Sequence, residues 1–345
     1  MKKLLFLFLL FPISLQAQFI GTVGSGGVSE TPSFKFGITT ENEDDTFTLP
    51  IYDGGTYNFT IDWGDETSSE ITAWNDGDNP HTYEDDGISS YNIEISGTLI
   101  GWRFDNAGDC DLMKDITQWG CFRPGNLGDW FKGCSNLTVS ATDILNLSDV
   151  TDMNEAFQLC GSLTTVPSMN SWDVSNVTTF YGMFHSDQLF TQDLSNWDTG
   201  NCQTFSYMFY HCDVFNQDIS GWDTGSMTSM TWMFYDAAAF NQDISGWDVS
   251  GVSNFDFSFR GDIAFDQDLS AWDITGMTTA DGMFFGVTLS TANYSAMLIA
   301  WEAQNEHADV TFGAGNSQYS AGAAATARAA LVANGWVITD GGQEE

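Results

Sequence analysis

The stretch that decides the fold runs from Val214 to Phe234, VFNQDISGWDTGSMTSMTWMF, and returns almost residue for residue as AFNQDISGWDVSGVSNF from Ala239 to Phe255. Outward from this pair, Trp172, Trp197, Trp222, Trp247 and Trp272 stand 25 residues apart, and each is followed by Asp. Phe190, Phe215, Phe240 and Phe265 form a second series with the same period. Met-Phe pairs at Met183, Met208, Met233 and Met283 form a third, with Ser258-Phe259 in the remaining register. Three interlocked series with one period define a tandem repeat. Upstream, DWFKGCSNL and EAFQLCGSL share a Phe-x-x-Cys-x-x-Leu frame around Phe131 and Phe157, a worn continuation of the same unit.

Within one unit, Met227, Met230 and Phe234 recur at the three-to-four spacing of a short helical segment, after a polar capping stretch such as Thr224-Gly225. Gln-Asp-Ile-Ser, with Ile219 or Ile244 between polar neighbours, reads as a short half-buried strand. A unit this small cannot bury its own apolar face, so neighbours must stack. The expected fold class is therefore a repeat solenoid, with short parallel strands on one face and short helical turns on the other. Propeller blades need about 40–45 residues, so the Trp-Asp pairs do not signal a propeller.

The units quoted above resemble the BspA-type leucine-rich-like repeats of bacterial surface proteins over roughly residues 125–290. The resemblance implies that the solenoid is of leucine-rich-repeat type, on an exported protein associated with adhesion and surface interaction. Ahead of the repeats, Asp62-Trp63-Gly64-Asp65 and His81-Thr82-Tyr83, set among alternating strand-like runs, are similar to the PKD-like domain. That similarity implies an all-β immunoglobulin-like sandwich. Behind the repeats, Tyr294, Met297, Leu298 and Trp301 lie at helical spacing and an Ala-rich run follows, which predicts an α-helical cap over the last apolar layer.

The expected organisation is a signal peptide over 1–17, a linker over 18–32, the sandwich over 33–104, the solenoid over 105–290, the cap over 291–340 and a frayed tail over 341–345. Met1-Lys2-Lys3, the apolar run from Leu4 to Leu15 and Ala17 carry the signal-peptide reading. No later stretch approaches the ~20 apolar residues of a membrane span. The chain is expected to be secreted or held at the cell surface.

The full chain carries 47 Asp and Glu against nine Lys and Arg, for a formal net charge of −38. Such a surface repels nucleic acid and anionic membranes, which excludes both as partners. The chain is 14% aromatic, so it has the apolar material to fold in spite of this charge.

No motif organises catalysis. His81, His185, His211 and His307 are scattered without metal-ligand spacing, and DNAGDC and NDGD lack the ligand pattern of an EF-hand. The reading is a non-enzymatic protein. Asp193, Asp218, Asp243 and Asp268 are expected to stack in register, and equivalent neighbours cannot divide acid and base roles. They either cap backbone N–H groups of the next turn, bind calcium between layers, or receive a basic partner. The candidate binding face is Gln192, Asp193, Gln217, Asp218, Ser220, Gln242, Asp243, Ser245, Gln267 and Asp268, read for an extracellular protein or glycan. No cofactor other than calcium is implied, and the alternative is a self-associating envelope component. Among the six cysteines, Cys110 and Cys121 flank a short loop and are the disulfide candidates, while Cys134, Cys160, Cys202 and Cys212 fall in core-facing registers. Stacking would also bring Cys134 and Cys160 within disulfide range, though with parallel side-chain vectors that make a bond awkward.

Overall fold

A computed structural model describes residues 31–40, 45–84, 89–304 and 307–345. The expected signal peptide and nearly all of the expected linker lie outside the described residues. Thr31–Glu345 form one compact unit.

The chain opens with nine strands: β1 (Phe34–Thr39), β2 (Thr46–Phe47), β3 (Thr56–Asp62), β4 (Ser68–Ile71), β5 (His81–Thr82), β6 (Ser90–Ile100), β7 (Met113–Gln118), β8 (Phe122–Arg123) and β9 (Thr138–Val139). Alternation along β3 (Tyr57, Phe59 and Ile61 in; Thr56, Asn58, Thr60 and Asp62 out) gives it one buried and one wet face. Seven of these strands make one open sheet in the order β4-β3-β6-β1-β7-β9, with β8 also on β6. The sheet is mixed: β1, β3, β4 and the flanks of β6 and β7 pair antiparallel, whereas β6–β8 and β7–β9 are parallel. β2 and β5 pair with each other.

This overturns the immunoglobulin-like sandwich. The sheet does not end at residue 104, because β7 and β9 extend it into the first worn repeat. The reason is apolar: Phe34 and Trp102 pack with Phe122 at 4.5 and 5.6 Å, Phe122 meets Phe131 at 5.8 Å, and Phe131 meets Phe157 at 5.5 Å. One core crosses the expected boundary.

The expected leucine-rich-type solenoid of strands and helical segments is also corrected. Among the described residues the repeats contain no α-helix and, beyond β9, no strand; turns, isolated bridges and a single 3₁₀ turn (Met169–Ser171) make them up. The bridges lie at Asp152, Thr179, Thr204 and Ser229, and again at Asn254 and Thr279, so the pairing sits at the start of the segment read as helical and not at Gln-Asp-Ile-Ser. Backbone bonding supplies the cause. The N–H groups of Tyr207, Phe209 and His211 donate to Thr231, Met233 and Tyr235 in the next repeat, at 3.1, 3.0 and 2.8 Å. Those between them, on Met208, Tyr210 and Cys212, bend back three residues to Phe205, Tyr207 and Phe209. Half the donors an α-helix would need are committed to the neighbouring layer.

Successive repeats lie in register and bury columns of like side chains. Phe184, Phe209, Phe234, Phe259 and Phe284 follow one another at 5.4–5.9 Å between rings. Trp197, Trp222 and Trp247 stack at 6.3 and 6.2 Å. Each indole N–H reaches back one layer: Trp222 donates to the Leu194 carbonyl at 3.0 Å, and Trp247 to Ile219 at 3.2 Å.

The helical expectation at the C-terminus is met in part. α1 (Thr291–Glu302) and α2 (Ala323–Ala333) pack together, but a parallel pair, β10 (Thr311–Gly313) and β11 (Val337–Thr339), joins them. Trp301 of α1 donates to the Leu269 carbonyl at 3.2 Å, repeating the bond of the Trp column, and Phe312 bridges Ala280. The tail expected to fray is tied down, since the Glu344 N–H donates to the Tyr319 carbonyl at 2.9 Å.

Candidate ligand-binding face

The aspartates read from the sequence mainly close local turns; among the described residues Asp193 alone of the four also bonds between layers, accepting from the Asn170 side chain at 2.7 Å. Asp193, Asp218, Asp243 and Asp268 each accept the N–H two residues on, at 2.9–3.0 Å, closing a turn within their own repeat. The Asp after each Trp does the same, as Asp248 does with Ser250 at 3.0 Å. The Ser220 and Ser245 side chains, with their amides, hold Asp218 and Asp243 below the usual carboxylate range. Ser220 and Ser245 are thus partners of these carboxylates.

The glutamines are also engaged. Gln192 is buried and accepts the Val166 N–H at 2.9 Å. Gln242 and Gln267 donate to the Asn216 and Asn241 carbonyls at 3.1 and 3.0 Å; Gln217 keeps the same register and is half-buried. The layer-to-layer capping falls to a series that the sequence reading passed over. The side-chain oxygens of Asn216 and Asn241 accept the N–H groups of Asn241 and Asp266 at 3.0 and 2.9 Å. Among the described residues no group of three or more His, Cys, Asp and Glu side chains is arranged to hold a metal ion.

Cys110 and Cys121 are not bridged; both are free and buried. The segment between them contains β7, and six extended residues span about 20 Å, whereas a disulfide needs Cα atoms within ~7 Å. The Cys121 thiol donates instead to the Ile95 carbonyl at 3.2 Å, and burial pushes both thiols up in pKa.

A different face carries the distinctive geometry. Two files of side chains run along the stack, on either side of the Met-Phe series. In the first, Tyr181 meets Tyr207 at 5.2 Å, Tyr207 meets Trp232 at 5.6 Å with planes 6° apart, and Trp232 meets Phe257 at 4.4 Å. In the second, His185 meets Tyr210 at 4.5 Å, Tyr210 meets Tyr235 at 4.6 Å, and the Arg260 guanidinium lies over Tyr235 at 5.5 Å and over Phe285 at 4.4 Å. Trp232 and Tyr235 join the files at 4.9 Å. These rings are partly solvent-accessible, and Phe285 is 59% exposed. Burial holds His185 down to about 4, so this imidazole is neutral at pH 7.

The backbone under the first file is left-handed in every layer. Tyr207, Trp232 and Phe257 have φ of 60, 61 and 58°; the flanking equivalents are Gly182 and Gly282, at 58 and 57°, and the worn repeats place Asp129 and Glu155 there, at 53 and 51°. A left-handed site that glycine fits without cost holds large aromatics in three successive layers.

Polar groups flank both ends. Near the first layers, Arg103 pairs with Asp129 at 2.6 Å and Lys132 pairs with Asp129 at 3.3 Å and with Glu155. At the far end, Phe285 forms one wall of a cavity of about 330 Å³ lined also by Asp281, Gly282, Gly313, Asn316 and Thr339. The sequence does hold a signal for this face: YMFY and WMFY contain more aromatics than the buried Phe and Trp columns use. Three-to-four spacing assigned them to a helix and hid it.

One family, described as "Mycoplasma protein of unknown function, DUF285", matches residues 125–244 and 217–316, which together make up more than half of the chain. No curated protein and no solved structure matches it.

Proposed function

The chain belongs to the DUF285 family, and from that premise we propose that it is an exported, non-catalytic interaction protein that holds an extracellular protein or glycan on its aromatic face. The observation that carries this reading is the placement of Tyr207, Trp232 and Phe257 at left-handed positions while their rings stay partly in water. Left-handed backbone costs roughly 1–2 kcal/mol per non-glycine residue, and burial does not repay it here in full. Every repeat is left-handed at this position, so what sets these three layers apart is that large rings stand there in place of Gly or an acidic residue, which points to use of that surface. Tyr, Trp and Arg are also the side chains that dominate binding energy at interfaces. The resemblance to BspA-type repeats and the leader read at residues 1–17 support an extracellular setting.

Helices long and apolar enough to cross a membrane are absent among the described residues. An array of extracellular-matrix proteins and glycans, probed with the chain and with a Tyr207→Gly/Trp232→Gly double variant, tests the proposal. Retention of the chain on at least one spot, weakened tenfold or more in the variant and unchanged in Asp218→Asn, is the expected result. Equal retention of the variant, or an array with no retained spot, overturns it.

A further inference from the structure

We propose that the aromatic face and the cavity at its C-terminal end together hold a linear, uncharged polysaccharide, laid across the layers with one chain end in the cavity. This rests on the interaction reading above and names its ligand class. The first argument is periodicity. Ring follows ring at 4.4–5.6 Å along each file, one per layer; the same register repeats beneath them except at Tyr181, which stands one residue before Gly182. A repeating surface of this kind suits a ligand built from repeating units, which a folded protein partner does not present. The C–H faces of sugar rings pack on aromatic rings, and several weak contacts along one chain add up through effective concentration.

The second argument is charge. With a net charge of −38 the chain repels sulfated and uronic acid polymers, whereas uncharged sugars meet no such barrier. Among the described residues no carboxylate pairs with Arg260. Its guanidinium is instead held by the Phe285 and Tyr235 rings, which leaves its N–H donors for hydroxyl and ring oxygens.

The third argument is the cavity. Its volume of about 330 Å³ lies within the range of small-ligand sites, and Phe285 belongs both to it and to the file of rings. Gly282 and Gly313 bring bare backbone to its wall. Asp281, Asn316 and Thr339 line it with side chains that no hydrogen bond engages among the described residues, the pattern of donors and acceptors that a terminal sugar's hydroxyls satisfy.

Affinity electrophoresis of the full chain through gels containing glucomannan, mixed-linkage β-glucan, xyloglucan or dextran tests the proposal, with alginate and heparin as charged counterparts. Retardation is expected in at least one uncharged polymer, equal at 0.05 and about 0.5 M salt because no screened charge pair carries it. Trp232→Gly, which places the residue of Gly182 and Gly282 at that site, should weaken it tenfold or more. Asn316→Ala should lower affinity for short oligosaccharides several-fold and leave the polymer nearly unchanged, since only short chains depend on their ends. No retardation by any uncharged polymer, stronger retardation by alginate or heparin, or wild-type behaviour of Trp232→Gly overturns the proposal. So does concentration-dependent dimerisation that Trp232→Gly abolishes, which would put a second copy on the face. If matrix-protein spots alone retain the chain, the interaction reading stands and the polysaccharide falls.

Discussion

At a position that is left-handed in every repeat, Tyr207, Trp232 and Phe257 put a large side chain on φ near +60° in three successive layers. Replacement of Trp232 by glycine removes ring contacts with Tyr207, Tyr235 and Phe257 but relieves the left-handed strain. The two effects oppose each other, so Trp232→Gly is expected to change stability by no more than about 1 kcal/mol, measured by urea unfolding, while binding falls. Asp262 breaks a rule of burial. It is fully buried, its carboxyl oxygens make no hydrogen bond of normal geometry although the Ala264 and Phe265 N–H groups face them, and burial raises its pKa well above the ordinary value. The folded state therefore keeps a proton that the unfolded state releases. Stability from the protonated form is complete below the unfolded pKa near 3.8 and is lost as pH rises through the raised value. Asp262→Asn, which has no proton to lose, should match the wild type near pH 4 and exceed it by about 1–3 kcal/mol at pH 7. Thermal midpoints across that range check it; a difference that shrinks with rising pH would contradict it.

Among the elements, α1 shows how the stack is closed. Trp301 sits on the helix, yet its indole makes the carbonyl bond of the Trp column and its ring packs on Phe312 at 5.3 Å. The helix thus ends the column by imitating one more repeat, and Tyr294 ties it to Asp340 at 2.7 Å. Trp301→Ala leaves a cavity at the last layer and should cost ~3–5 kcal/mol. Hydrogen exchange should locate the loss in α1, α2 and β10–β11 first, with the Phe209 and Phe234 amides protected longest. Uniform loss across the stack would show that the helices do not close it. The repeats reach the same end by other means, because Asn216 and Asn241 cap the next layer while Asp218 and Asp243 close turns within their own.

Over the whole molecule the sheet and the repeats share one core. β1 pairs with β6 and β7, and β7 pairs with β9 inside the first worn repeat. The Phe36, Ile93 and Phe131 amides are accordingly expected to open with one free energy in native-state hydrogen exchange, within about 1 kcal/mol. A fragment starting at residue 105 lacks the strands that cover Phe122 and Phe131 and should bind hydrophobic dye. Separate opening of the sheet, or a well-folded fragment, would restore the two-domain division.

How much of this was legible follows from the range of the interactions. The repeat period, the buried Phe, Trp and Met series, the closing helices and the acidity are properties of residues in order along the chain, and the sequence by itself determined them. Periodicity records which side chains are apolar together, and stacking in register follows from it. The sequence did not determine where backbone N–H groups donate, because bonds to the next layer and bonds within a helix suit the same three-to-four spacing. That choice, made between residues about 24 apart in the chain, replaced helical segments with turns. It also set Asp218, Asp243 and Asp268 to local caps and opened left-handed sites that turn Tyr207, Trp232 and Phe257 outward. The separation of Cys110 from Cys121 and the joining of sheet to repeats were likewise decided in three dimensions, by strand pairing and by one continuous apolar core.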